Sequence, residues 1–132
     1  MERKKRYKEK IELADKRIAE IEEWLPSVED ERSKLASYKA FQEVSEAISD
    51  IIAMLLKDKG KLVEDDYKNI ESLKTLKIID ENDVKILEDA NGLRNRIIHK
   101  YNKTDDEIAK ESIKSLLPHI KFILKKLEHA TQ

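Results

Sequence analysis

Residues 84–101 read VKILEDANGLRNRIIHKY. Apolar side chains recur here at three- and four-residue steps, the spacing of an amphipathic helix rather than the alternation of a strand. With Leu93 set at zero and about 100° per residue, Ile86, Ile97, Ala90, Tyr101, Arg94, Leu87, Ile98, Asn91 and Val84 follow across an arc of roughly 180°. Asn95, Glu88 and His99 come next, and Gly92, Lys85, Arg96, Asp89 and Lys100 fill the solvent side. One residue is misplaced. Arg94 falls near the middle of the apolar arc, where an unpaired guanidinium is costly to bury; it needs a carboxylate, a cleft or a ligand phosphate.

The same periodicity extends outward in both directions. A first helix is expected from about Arg3 to Leu25, through Ile11, Ala14, Ile18 and Ile21, and ended by Pro26. A second follows a cap within Ser27-Val28-Glu29-Asp30 and runs to about Lys57. Leu35, Tyr38, Phe41, Val44, Ile48, Ile51, Ile52 and Leu55 form its apolar face, and Lys57-Asp58-Lys59-Gly60 marks its end. A short third helix spans about Asp66 to Leu76, carrying Tyr67, Ile70 and Leu73. The fourth starts at Asp80 or Asn82 and ends near Asn102; Thr104-Asp105-Asp106-Glu107 reads as a capping box for the fifth. Ile113, Leu116, Leu117, Ile120, Ile123, Leu124 and Leu127 make the last stripe, with a kink expected at Pro118. The expectation is all-α: an up-and-down antiparallel bundle of about five helices, one domain over residues 1–132.

Composition agrees. Charged residues make up 42% of the chain and aromatics 5%, with two Gly and two Pro, a profile for bundles and not for sheets. A net charge of −1 removes any global basic field, so nucleic-acid binding would need a local patch. The chain has no cysteine, hence no disulfide framework and no thiolate chemistry. Neither a signal-peptide core nor a long apolar run occurs, so a soluble, cytoplasmic, non-membrane protein is expected. No His, Asp or Glu cluster has metal-ligand spacing, and neither metal nor other cofactor is expected. Arg3, Lys4, Lys5, Arg6, Lys8 and Lys10 crowd the first helix; they read as a solvated helix start or as an auxiliary phosphate-binding arm.

The chemistry is concentrated in Arg94, Asn95, His99 and Tyr101. Arginine offers a planar, permanently charged fork to a phosphate. Histidine is the side chain suited to proton transfer near neutral pH. Asn91, Asn95, His99 and Asn102 make a polar seam along the helix, so Asn95 can orient the ring or a ligand. Each has a plainer reading: Arg94 in an ion pair, His99 merely solvated, Tyr101 packing its ring at an interface.

Taken together, Gly92-Leu93-Arg94-Asn95-x2-Ile98-His99-x-Tyr101 resembles the signature of HEPN domains, and most closely the HepT branch. Asp66-Tyr67 … Leu73 … Leu76-x-Ile78-Ile79-Asp80 … Leu87 resembles that branch too, and the likeness covers essentially the whole chain. The long basic first helix departs from the pattern. The resemblance implies a homodimer whose motif helices line a shared cleft and which cleaves RNA without metal. It implies the toxin of a type VII toxin–antitoxin pair, with a minimal nucleotidyltransferase antitoxin that transfers AMP to Tyr101. Arg94, Asn95 and His99 would then be catalytic, with Arg94, Arg96 and Lys100 contacting RNA.

On a straight helix Arg94 and His99 lie roughly 140° and about 7.5 Å apart, so one chain does not easily grip one phosphate with both. Two facing copies can, which independently favours a dimer. The alternative is a non-catalytic accessory or substrate-binding partner of a nucleotidyltransferase; a third reading is a purely structural helical dimer.

Overall fold

The structure is a computed structural model describing residues 2–27, 30–99 and 103–132, with Ser27 and residues 103–105 described by backbone alone. Five α-helices follow one another: α1 (Glu2–Trp24), α2 (Glu31–Asp58), α3 (Asp66–Thr75), α4 (Glu81–His99) and α5 (Lys103–Ala130). A 3-10 turn, Leu25–Ser27, follows α1. Among the described residues there is no strand.

Helices α1 and α2 form a long antiparallel hairpin, as its cross-pairs require: Arg3 with Asp58, Lys10 with Asp50, Arg17 with Glu43. Lys121 of α5 pairs with Glu22 near the end of α1, and Lys126 pairs with Asp83 near the start of α4. Helix α5 is therefore antiparallel to both. Phe41, Ile51, Leu56, Ile113, Ile120, Ile123 and Leu127 are almost wholly enclosed at the centre. The apolar faces expected of α1, α2 and α5 are largely the ones buried. Leu35 of α2 and Tyr67 of α3 are exposed, at 48% and 52%: on the wheel Leu35 stands about 120° from Phe41, and Tyr67 about 60° from Ile70 on the side away from Leu73.

The helix ends follow local chemistry. Asp30 caps α2 by accepting from the Ser33 amide at 2.7 Å, while Val28 and Glu29 of the expected cap lie outside the described residues. Helix α2 closes in a Schellman turn, with Lys61 N–H on the Leu56 carbonyl and Gly60 left-handed at φ 72°. Helix α3 ends the same way on Lys77, at φ 63°, with Ile78 N–H on the Leu73 carbonyl. Asp80 and Asp83 cap α4 reciprocally, each carboxylate accepting the other's backbone N–H. Helix α5 begins at Lys103, so the side chain of the expected cap, Thr104, falls outside the described set. Pro118 does not interrupt α5, and Leu116, Leu117 and Ile120 around it stay buried.

Helix α4 packs against α2, α3 and α5 together. That accounts for its wide apolar arc inside one chain: Val84, Leu87, Ala90 and Leu93 are buried, and Ile86 and Ile97 pack against the core. The arc's width is therefore not by itself a reason to expect a second copy. Among the described residues, no helix is long and apolar enough to cross a membrane.

Candidate active site

The C-terminal half of α4 carries the motif. Arg94 turns inward, its side chain 14% exposed, toward α2 and the first residue of α3. Nη1 donates to Ser45 Oγ at 3.5 Å; Nη2 donates to Asp66 Oδ2 at 3.4 Å and to Asn95 Oδ1 at 3.2 Å. Ser45 Oγ in turn donates to Asn91 Oδ1 at 3.1 Å, and both residues are buried. The misplaced arginine thus has its carboxylate within the chain, supplied by Asp66.

These bonds are long. Charge-assisted N–H···O contacts usually close to about 2.7–2.9 Å. All three Arg94 contacts exceed that, and two go to neutral acceptors. The guanidinium is oriented by its surroundings but only loosely neutralised, the condition in which a phosphate can displace a carboxylate.

Asn95 is exposed and its carbonyl oxygen accepts from Arg94, so within this chain it steadies the guanidinium rather than the imidazole. His99, the last residue of α4, is exposed. The polar seam splits accordingly: Asn91 turns into the core onto Ser45, whereas Asn95 and His99 face outward. Arg96 is exposed in a groove of about 900 Å³ between α4 and α5, facing Glu88, Glu107 and Glu111. Lys100, Tyr101 and Asn102 lie outside the described residues. Among the described residues no three or more His, Cys, Asp or Glu are grouped to hold a metal ion.

Two partners of Arg94 carry little signal of their own in the sequence. Asp66 belongs to the run that resembles the HepT branch, but on its chemistry alone it reads as an ordinary first-turn acid. Ser45 leaves a fainter trace, a small polar residue beside Val44 and one turn after Phe41, on the face that is buried.

Residues 7–127 match the family described as Ribonuclease HepT-like. The chain belongs to that family. A protein of Archaeoglobus fulgidus named "Putative RNase" is 42% identical over 124 residues, covering 92% of this chain and 90% of its own. A second protein of that organism, bearing the same name, is 43% identical over 103 residues, covering 78% and 76%. The HepT-like assignment made from the motif therefore holds across the bundle. The helices that position Arg94 all lie within the matched span, and so do Asn95, His99 and Tyr101.

Proposed function

We propose that this HepT-like chain is a metal-independent endoribonuclease, acting as a homodimer and as the toxin of a toxin–antitoxin pair. The loosely neutralised guanidinium of Arg94, one helix turn and a half from an exposed His99 in a ribonuclease-family chain, carries the reading. Arg94 exchanges the Asp66 carboxylate for the scissile phosphate of the RNA and stabilises the charge that builds on its oxygens. The ribose 2′-hydroxyl attacks the adjacent phosphorus as His99 removes its proton. The bond from phosphorus to the 5′-oxygen breaks, and the partner's His99 returns a proton to that leaving oxygen. The products are a 2′,3′-cyclic phosphate and a free 5′-hydroxyl. Asn95 holds Arg94 in place, and Arg96 and Lys100 contact the flanking backbone. A cognate minimal nucleotidyltransferase transfers AMP to Tyr101 and silences the site.

The deciding experiment incubates purified protein with RNA in EDTA, beside Arg94→Ala and His99→Ala. Cleavage leaving cyclic phosphate ends, lost in both folded variants, is expected. Activity abolished by EDTA and restored by Mg²⁺ would reject the mechanism. RNA binding with no cleavage by any preparation would favour the accessory-partner reading instead.

A further inference from the structure

The basic start of α1 takes no part in the reaction above, yet its position is fixed. Arg3 Nε donates to Asp58 at 2.9 Å, and the Tyr7 hydroxyl donates to the same carboxylate. Both contacts tie the first two turns of α1 to the last turn of α2. The sequence there is Lys57-Asp58-Lys59-Gly60-Lys61, and the Schellman turn at Gly60 presents its lysines around the helix end. Two basic runs more than fifty residues apart in sequence thereby share one end of the bundle.

Lys4, Lys5, Arg6, Lys57, Lys59 and Lys61 are all exposed, and none has a carboxylate within ion-pair distance among the described residues. The nearby acids are partly spoken for: Asp58 by Arg3 and Tyr7, Glu64 by Lys68 at 3.7 Å. Glu2 and Glu9 stay exposed alongside, and Lys4 shares a groove with Glu12, Asp15 and Glu128. The negative end of α2 amounts to about half a charge and is offset by one nearby lysine, not by this many cations. In a chain of net charge −1, such a concentration is a local field that the whole molecule does not have.

We propose that this end of the bundle is a second RNA-binding site, gripping backbone phosphates away from the scissile one. The choice of ligand rests on the ribonuclease reading. Asp58 follows Ser45, the Arg94 contact on α2, by thirteen residues, or about 20 Å along the helix axis. A stacked strand rising about 3.4 Å per nucleotide spans that in roughly six nucleotides. The loop that carries Lys61 continues to Asp66, which holds Arg94, so the two sites are joined by a short path on the chain. Long RNA would touch both sites and short RNA only one.

The test reads binding, not cleavage, in a His99→Ala background by fluorescence anisotropy. The probes are labelled single-stranded RNAs of about 5 and about 20 nucleotides, on either side of that span. Changing all six cations to Gln should weaken the long RNA about tenfold and leave the short one unchanged. It should also flatten the salt dependence of affinity by about 0.7 for each phosphate no longer gripped. An unchanged long-RNA affinity and salt slope would overturn the proposal, as would wild-type indifference to RNA length. Phosphatidylserine vesicles form a third arm: vesicle binding lost in the variant with RNA binding intact would assign this end to a membrane surface instead. A chain that grips long RNA here but cuts none would sink the catalytic reading and leave this one standing.

Discussion

Asp66, the first residue of α3, holds Arg94 of α4 at 3.4 Å, across 28 residues of sequence. The pair is half open, Asp66 being 37% exposed, and it stands where the proposed reaction places the substrate phosphate. Asp66→Asn keeps an acceptor oxygen but removes the competing charge. It should tighten RNA binding about two- to fivefold, the equivalent of a modest exposed ion pair. Anisotropy in the His99→Ala background measures it. Weaker binding in the Asn variant would mean that Asp66 positions the guanidinium and does not compete for it.

That pair also marks where reading a sequence helix by helix stops. Periodicity locates all five helices, and it identifies Arg94 as out of place on its own helix. It does not name what Arg94 meets, because Ser45 and Asp66 come from other helices and only the packing angle joins them. A helical wheel likewise has no ends, so it puts Ile98 on the apolar face of α4 although it lies at the terminus and is about half exposed. The width of the α4 arc is likewise explained only by packing: a helix touching three neighbours needs an apolar surface that wide.

Homodimerisation is expected through the C-terminal half of α4. Ile98, 49% exposed one turn beyond Arg94, is an apolar group that a second copy would cover. Light scattering at micromolar concentration should give twice the chain mass for wild type and the single mass for Ile98→Asp. A monomeric wild type would leave Arg94 and His99 on separate faces and remove the composite site.

Tyr101→Phe tests the proposed AMP transfer. The variant should retain RNA cleavage but escape silencing when co-expressed with its nucleotidyltransferase, because the AMP acceptor is gone. An AMP adduct would add negative charge to the motif and oppose an incoming phosphate. Equal silencing of the Phe variant, with no adduct on wild-type Tyr101 by mass spectrometry, would remove the switch from this residue.

Lys77 offers a stability test independent of function. It holds φ 63° at the end of α3, a conformation costing about 1–2 kcal/mol for a residue with a Cβ. Lys77→Gly removes that cost and adds about 0.5–1 kcal/mol of backbone entropy. A net stabilisation near 0.5–1 kcal/mol is expected, read as a higher urea midpoint at constant slope.

At alkaline pH the Tyr7 phenol should be the informative group. Burial, then its bond to Asp58, pushes its pKa up to about 12, so the folded chain holds that proton more tightly than the unfolded one. The resulting stability is complete below the ordinary tyrosine pKa of about 10 and is lost as pH rises through about 12. Tyr7→Phe should be less stable at neutral pH yet decline less steeply across that window. Parallel decline of the two proteins in urea midpoints would contradict it.

The cross-pairs of the α1–α2 hairpin recur every seven residues on α1, at Arg3, Lys10 and Arg17, and nearly so on α2, at Asp58, Asp50 and Glu43. Charge alone is therefore almost blind to sliding. Were α1 displaced by seven residues, about 10.5 Å, Arg3 would find Asp50 and Lys10 would find Glu43. What resists the slide is bulk: Tyr7 would enter the place shaped for Ala14, and Ala14 would underfill the place shaped for Ile21. One enclosed alanine among larger neighbours acts as the notch that lets the two long helices meet in a single alignment, and so delivers both basic runs to the same end.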